Sequence, residues 1–467
     1  MKITCRTLLD EPFWGKCVYH PKIARWPDGR LLMTFQEYLG SDYYGPVMAV
    51  ESNDEGFLWK NAQPIPALGT WELGGGLMER HCDTVPDYDP ASGRMVAIGH
   101  NAYSKKDGFL DTMGYFNKGE RRVDLKRRGA YCVLHEDGTW GPRHLLNPEP
   151  FSDWNCLCCG CTQKIISDKG DWLIPFGGLD DPSKHIDSVV VVCRFRFDGE
   201  KFHFVEAGEP LALNIGRGLM EPSLISFGGR ILVTMRAEDE RAHFAISEDG
   251  LNYGEIGTWT FDDGEPLVTS TTQQHWLIAG GRLYLVYTRN CGWNKDVFRY
   301  RAPLFIAEVE PRRMQLIRST ERMVFPFDGD PKRPKSVALS GNFHVCMLPD
   351  GEALVVDGEH KPYRETPEGL ALLARIAVEG EWTVDCGQWT VDSGQWTVDS
   401  GQWTVDCGQW TVDCGQWTVD SGLWTVDCGL WTVDCGQWTV DSCHNKGNAI
   451  CFINNCDIFS NDFISNS

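Results

Sequence analysis

An all-β fold, a six-bladed β-propeller followed by a low-complexity tail, is what this 467-residue sequence predicts. Three observations lead there. Short apolar runs alternate with polar residues and mostly follow tight turns. The runs recur at intervals of roughly 50–80 residues, and no long helical period interrupts them before residue 380.

Gly29–Phe35 follows the turn Pro27-Asp28-Gly29, and Arg94–Ile98 follows Ser92-Gly93. Trp172–Phe176 comes next, then Arg230–Thr234 after Gly228-Gly229, Arg282–Tyr287 after Gly280-Gly281, and Glu352–Val356 after Pro349-Asp350-Gly351. Runs of this length, bounded by Gly and Pro-Asp-Gly turns, read as antiparallel strands. Each is preceded by a polar-tipped strand and followed by one or two more, a weak repeat of six four-stranded units. In such a ring the first strand of each unit lines a central channel, where its polar residues converge. Lys2–Cys5 is expected to complete the last unit beside Leu370–Ile376, closing the ring and hiding a sheet edge. The propeller is assigned to residues 1–380.

Residues 381–442 repeat Trp-Thr-Val-Asp-Cys/Ser-Gly-Gln/Leu, with nine copies marked from Trp382 to Trp438. A period of seven invites a coiled coil, but a Gly and two β-branched residues per unit are poor helix material. The expectation is an expanded segment without a globular fold, with a short-turn β stack as the alternative. Residues 443–467 are Asn-rich and aperiodic, the composition of a disordered tail.

The formal charge is −21, and nine of the negatives are Asp residues of the repeat. A moderately acidic body with no basic stripe excludes a nucleic-acid partner. No run of about 18 apolar residues exists, so no membrane-spanning helix is expected. Met1–Asp10 lacks an apolar leader, which predicts a cytoplasmic protein with reduced thiols. Eleven of the 19 cysteines lie in the body at irregular spacing. Cys156-Leu157-Cys158-Cys159-Gly160-Cys161 is dense, but no second pair stands at zinc spacing. Buried thiols are expected there, with no metal and no cofactor.

Two patterns carry more. Ser52-Asn53-Asp54-Glu55-Gly56-Phe57-Leu58-Trp59 spells S-x-D-x-G-x-x-W, a turn in which the Asp caps backbone amides and the Trp packs beneath; Ser247–Tyr253 is a shortened version. Glu221-Pro222 through Arg236 reads as a hairpin that delivers one acid and one guanidinium. Together these resemble the sialidase superfamily over residues 1–380, whose S-x-D turn is called an Asp box. The chain is also similar to a group of uncharacterised sialidase-like bacterial proteins that share Gly40-Ser-Asp-Tyr-Tyr-Gly-Pro46 and Arg301-Ala-Pro-Leu-Phe-Ile-Ala307.

The resemblance implies a sugar carboxylate held by arginines, a Tyr nucleophile activated by a Glu, and an acid/base Asp. Glu221 and Arg236 match the Glu and the second Arg. Arg301 matches the third Arg, with Arg299 as its rival. Asp42 lies in the loop of the acid/base Asp, and Glu359 resembles the acid that supports the first Arg. Two positions depart from the pattern. His20, in Tyr19-His20-Pro21-Lys22, stands where the first Arg belongs, and Asn342 or Phe343 stands where the nucleophilic Tyr belongs.

Histidines fill part of the gap. His20, His81, His100 and His275 sit at the edges of expected inner strands, with Asp83 beside His81, and Tyr287 and Arg289 end another. His and Tyr backed by Arg suit proton abstraction next to a carboxylate. Three readings therefore stand. A hydrolase would use Asp42 as acid/base and Glu221 to polarise a nucleophile or water. A lyase of uronic-acid polysaccharides would use His100 or His275 with Tyr287. A binding-only propeller would hold the sugar without turnover. In each, His20, Asp83, Arg236, Arg289, Arg299, Arg301 and Glu359 are the binding groups for an acidic sugar.

Overall fold

A computed structural model describes residues 1–40, 43–106, 108–110, 124–179, 188–349, 351–361, 363–364 and 368–378, and the backbone of 396–398 and 424–426. The chain divides into two units, Met1–Val378 and Glu379–Ser467. The first is an all-β, propeller-like arrangement of antiparallel sheets whose only described helices are single 3₁₀ turns.

All six apolar runs are strands, and each extends beyond its expected end: Leu31–Gly40, Arg94–Lys105, Asp171–Leu179, Arg230–Arg236, Arg282–Thr288 and Glu352–His360. Four of them lie second in their sheets, and Arg94–Lys105 and Asp171–Leu179 lie further inside a larger sheet, so all six are flanked by strands on both sides. Val18–Arg25, Leu77–Asp89, Met220–Phe227, His275–Ala279 and His344–Met347 precede five of them as inner strands. The N-terminal strand Lys2–Leu8 pairs antiparallel with Gly369–Ala377, from Lys2↔Ala377 to Leu8↔Ala371. It gives the C-terminal sheet of the unit its fourth strand.

The sheets do not separate into six. Strands between Trp71 and Ala207 form one 11-stranded sheet. The reason is the short strand Cys156–Cys158, which pairs parallel with Arg127–Leu134 and antiparallel with Asp171–Leu179, fusing two sets of strands.

Aromatic side chains fill the spaces between sheets. Trp172, Phe176 and Phe195 pack in one cluster, and Trp259, Trp276, Phe261 and Tyr287 in another. Each such side chain contributes about 1.5–3 kcal/mol by leaving water. The two S-x-D turns share one plan. The Ser52 and Ser247 hydroxyls donate to Asp54 and Asp249, and those carboxylates accept from the Leu58 and Leu251 amides at 2.8 Å. Within the second unit, Trp396–Val398 pairs parallel with Trp424–Val426, one Trp opposite the other. The remaining repeats and the 443–467 tail lie outside the described residues.

Candidate functional site

Four segments, three of them inner strands, share a backbone feature. His20, Asp83, Cys161 and Glu221 all adopt left-handed φ, from 47° to 53°. In three of the strands the register slips there, between Tyr19 and Lys22, Cys82 and Val85, and Met220 and Ser223. Such a bulge leaves one residue out of the ladder and re-aims its side chain. A non-glycine residue in this region costs of order 1–3 kcal/mol and is typical of sites.

The bulged segments meet one another. His20 Nε2 lies 3.4 Å from Asp83 Oδ1. The Cys161 amide donates to the Asp83 carbonyl at 2.8 Å, and the Leu224 amide to the Gln163 carbonyl at 3.0 Å. The circuit returns through Lys22, whose ammonium donates to the Asn342 and Phe343 carbonyls at 3.1 and 3.0 Å. Lys22 is fully buried. Burial lowers its pKa, while Cys161, Asp83, Glu221 and Asp357 counteract that. This lysine therefore ties the two halves of the site together electrostatically.

One half is cationic. Arg236 Nη2 meets Glu221 Oε1 at 2.7 Å, and Arg236 Nη1 donates to the Thr271 carbonyl at 3.1 Å. Arg236 Nε, Glu221 Oε2 and Arg301 Nε are buried and have no hydrogen-bond partner among the described residues. The Arg301 side chain runs along Gly341, where an added Cβ would stand 3.5 Å from its Cγ. Arg299 has its pKa lowered to about 10, first by burial and then by Arg301, Arg236 and Arg217. These guanidinium groups are close enough to repel, and Glu221 offsets only part of that charge.

The other half carries His20, Asp83, His100 and Cys82. Burial pushes the Asp83 pKa up, but His20, His100, Lys22 and Arg127 outweigh it and hold it at about 2. His100 is lowered to about 3 by burial, then by Arg127. Tyr19, Tyr38, Tyr44, His20 and His360 form an aromatic cluster beside it, with Tyr19 and His360 rings 4.9 Å apart. Asn342 Nδ2 donates to the Tyr19 hydroxyl. Thus a phenol from a different strand reaches the place where the resemblance calls for Tyr. Glu359 lies buried on Glu352–His360, raised to about 7 by burial and Asp357.

Three expected site residues are not brought to this place. Tyr287 is on the second strand of its sheet, so its ring enters the core against Phe305 and its hydroxyl donates to Glu321 at 2.6 Å. Arg289 closes on the same Glu321, at 2.8 and 2.5 Å. His275 does sit on an inner strand, but its Nδ1 lies 2.8 Å from Ser223 Oγ and its Nε2 3.4 Å from Gln273 Oε1. Nδ1 thus joins two strands, and Nε2 faces the loop that leads into its own. His81 is likewise held, by the Gly69 carbonyl and Arg143. Asp42 lies outside the described residues.

Tyr19, Lys22, Cys161 and His360 were absent from the sequence-based set. The signal for the first two was an X-Pro echo: His20-Pro21 and Glu221-Pro222 mark the same bulge, so the residues flanking His20 belong with it.

No protein-family model matches the chain, and no curated protein matches it. Solved structures do. Trypanosoma rangeli sialidase is similar with a TM-score of 0.52 and 13% identity, over 77% of this chain and 55% of that one. The same enzyme solved with sialic acid gives 0.51 and 12%, over 77% and 54%. NanB sialidase from Streptococcus pneumoniae gives 0.52 and 10%, over 79% and 70%. A protein of unknown function from Dyadobacter fermentans gives 0.53 and 13%, over 80% and 99%. This chain thus spans about half the length of the trypanosomal enzyme. At these identities the likeness is one of fold, and the fold is sialidase-like.

Proposed function

We propose that the chain is a carbohydrate-active enzyme, a sialidase-like glycoside hydrolase acting on a carboxylate-bearing sugar. The observation that carries this is the excess of guanidinium charge: buried Arg236 and Arg301 and half-buried Arg299 lie within electrostatic reach of one another and, among the described residues, Glu221 is the carboxylate that offsets Arg299. An incoming carboxylate relieves that repulsion and receives fork-shaped, charge-assisted hydrogen bonds. The trypanosomal neighbour, solved with sialic acid, is consistent with such a ligand.

The architecture we infer is a ring of six units. Its fused 11-stranded sheet reads as two of them, joined through Cys156–Cys158. In this reading Arg236, Arg299 and Arg301 clamp the carboxylate. Glu221 orients Arg236. Tyr19 supplies the hydroxyl that Asn342 and Phe343 lack, and Asp42 is the acid/base. Hydrolysis is favoured over proton abstraction because Tyr287, Arg289 and His275 are committed to Glu321, Ser223 and Gln273.

The test is a panel of chromogenic glycosides of acidic sugars. Release of chromophore and free sugar is expected, with Tyr19→Phe lowering kcat by about 10²–10⁴-fold. New absorbance from an unsaturated uronate, or saturable binding with no release, overturns the hydrolase reading.

A further inference from the structure

We propose that Cys82, Asp83 and His100 form a zinc-binding site with three protein ligands and one open position. Their ligand atoms all lie within 4.8 Å of one another. Cys82 Sγ is 3.3 Å from His100 Nε2, which is 3.8 Å from Asp83 Oδ2. Zinc bonds of about 2.0–2.3 Å at tetrahedral angles demand ligand separations of about 3.3–3.6 Å. The thiol–imidazole spacing already matches that range, and the Asp83 carboxylate, 3.8 Å from the imidazole, must move inward to complete the site.

The backbone explains why these three converge. Cys82 and His100 are direct cross-strand partners, so their side chains leave the sheet on one face. Asp83 follows Cys82 and in a regular strand points to the opposite face. Its left-handed φ of 53° and the bulge after Cys82 bring its carboxylate to the thiol and imidazole instead. Gly160 covers the group closely. A Cβ there would stand 2.3 Å from His100 Nδ1 and 2.6 Å from Asp83 Cβ, so only glycine fits.

The donor chemistry selects the metal. A thiolate, an imidazole and a carboxylate suit zinc, whereas magnesium and calcium take oxygen alone. The second Asp83 oxygen faces His20 Nε2 at 3.4 Å, an outer partner that orients a ligating carboxylate. Cys82 and His100 are buried, while the Asp83 side chain is 17% exposed, which leaves the approach and the fourth position on its side. Binding releases the Cys82 thiol proton to solvent and forms Zn–S, Zn–N and Zn–O bonds, with no change of oxidation state. At the open position the ion polarises a bound water or sugar oxygen. The site does not rest on the sugar-acid reading, because metal binding is measured without any sugar.

The test uses the full chain, stripped with a chelator and titrated with Co²⁺ as a spectroscopic stand-in, then with Zn²⁺ in competition. The parent is expected to show a thiolate-to-cobalt charge-transfer band that Zn²⁺ displaces. Cys82→Ser and His100→Gln should each lose that band relative to the parent while keeping its circular dichroism spectrum. His20→Asn should weaken Co²⁺ binding by about 10–100-fold. The Cys156→Ser/Cys158→Ser double variant should keep the band. An undiminished band in both Cys82→Ser and His100→Gln overturns the proposal, as does a band lost only with Cys156 and Cys158. If Cys82→Ser fails to fold, His100→Gln alone decides between these outcomes.

Discussion

Replacing Arg236 by Ala probes the site most directly. Its guanidinium meets Glu221 Oε1 at 2.7 Å, and the two side chains are 10% and 25% exposed. A hydrogen bond to a charged group contributes about 1.5–3 kcal/mol, so loss of the clamp weakens carboxylate binding by about 10- to 150-fold. Stability also falls. Removing one partner of a fully buried ion pair costs about 3–5 kcal/mol, and the partial exposure of Glu221 places this case below that range. Glu221→Gln in the Arg236→Ala background should recover stability, because no ion is then left unpaired, but should not recover binding. Calorimetric titration with an acidic monosaccharide reads the first effect and thermal melts the second. Arg333→Ala, at an exposed surface pair, should change neither. Unweakened binding by Arg236→Ala, or binding restored by the second substitution, refutes the clamp.

Glu359 gives a pH signature. Burial and Asp357 raise its pKa from 4.5 to about 7. The folded chain therefore keeps a proton that the unfolded chain releases, so its stabilising contribution is full below about pH 4.5 and is lost as the pH rises through 7. The difference corresponds to about 3 kcal/mol, so Glu359→Gln should melt close to the parent at pH 5 and higher at pH 8; an equal offset at both pH values contradicts this. Asp249→Ala removes the acceptor of the Leu251 and Asn252 amides, both at 2.8 Å. Denaturant titration should show a loss of about 1–3 kcal/mol, since these donors are left unmatched. Ending the chain at Val378 should leave the melting temperature unchanged, whereas deleting Met1–Leu8 should lower it and promote aggregation by baring the Gly369–Ala377 edge.

The strands were readable because their side chains alternate between neighbouring sheets and their turns need Gly or Asp-Gly; both are local. Lys2–Leu8 pairing with Gly369–Ala377 was readable because a ring has to hide its last edge. The Glu221–Arg236 contact followed from hairpin register, with Met220 opposite Arg236. Tyr287 was misjudged because an inner strand and its neighbour carry the same alternation, whereas His275 sits on an inner strand as expected and is held there by Ser223. Which strand faces the axis depends on sheet order, and Glu321, the partner that fixes Tyr287, comes from a segment 34 residues away. The fused sheet was invisible for a similar reason, since a three-residue strand such as Cys156–Cys158 has no period to detect.

The bulges settle how a sheet scaffold concentrates so much chemistry at one end. A regular inner strand sends alternate residues to opposite faces, so adjacent polar residues cannot share a site. Left-handed turns at His20, Asp83, Cys161 and Glu221 break that alternation at matching positions. At each, the displaced side chain joins neighbours it could not otherwise meet: Asp83 joins Cys82 and His100, and Glu221 joins Arg236. The backbone strain of about 1–3 kcal/mol per residue is offset by the contacts around it, including the Cys161 amide on the Asp83 carbonyl. Replacing Cys161 or Asp83 by Gly relaxes the backbone locally, so any loss of metal or sugar binding in such variants reports the side chain itself rather than the turn. A substituted Val at the same positions disturbs both, because a β-branched residue is ill suited to left-handed φ.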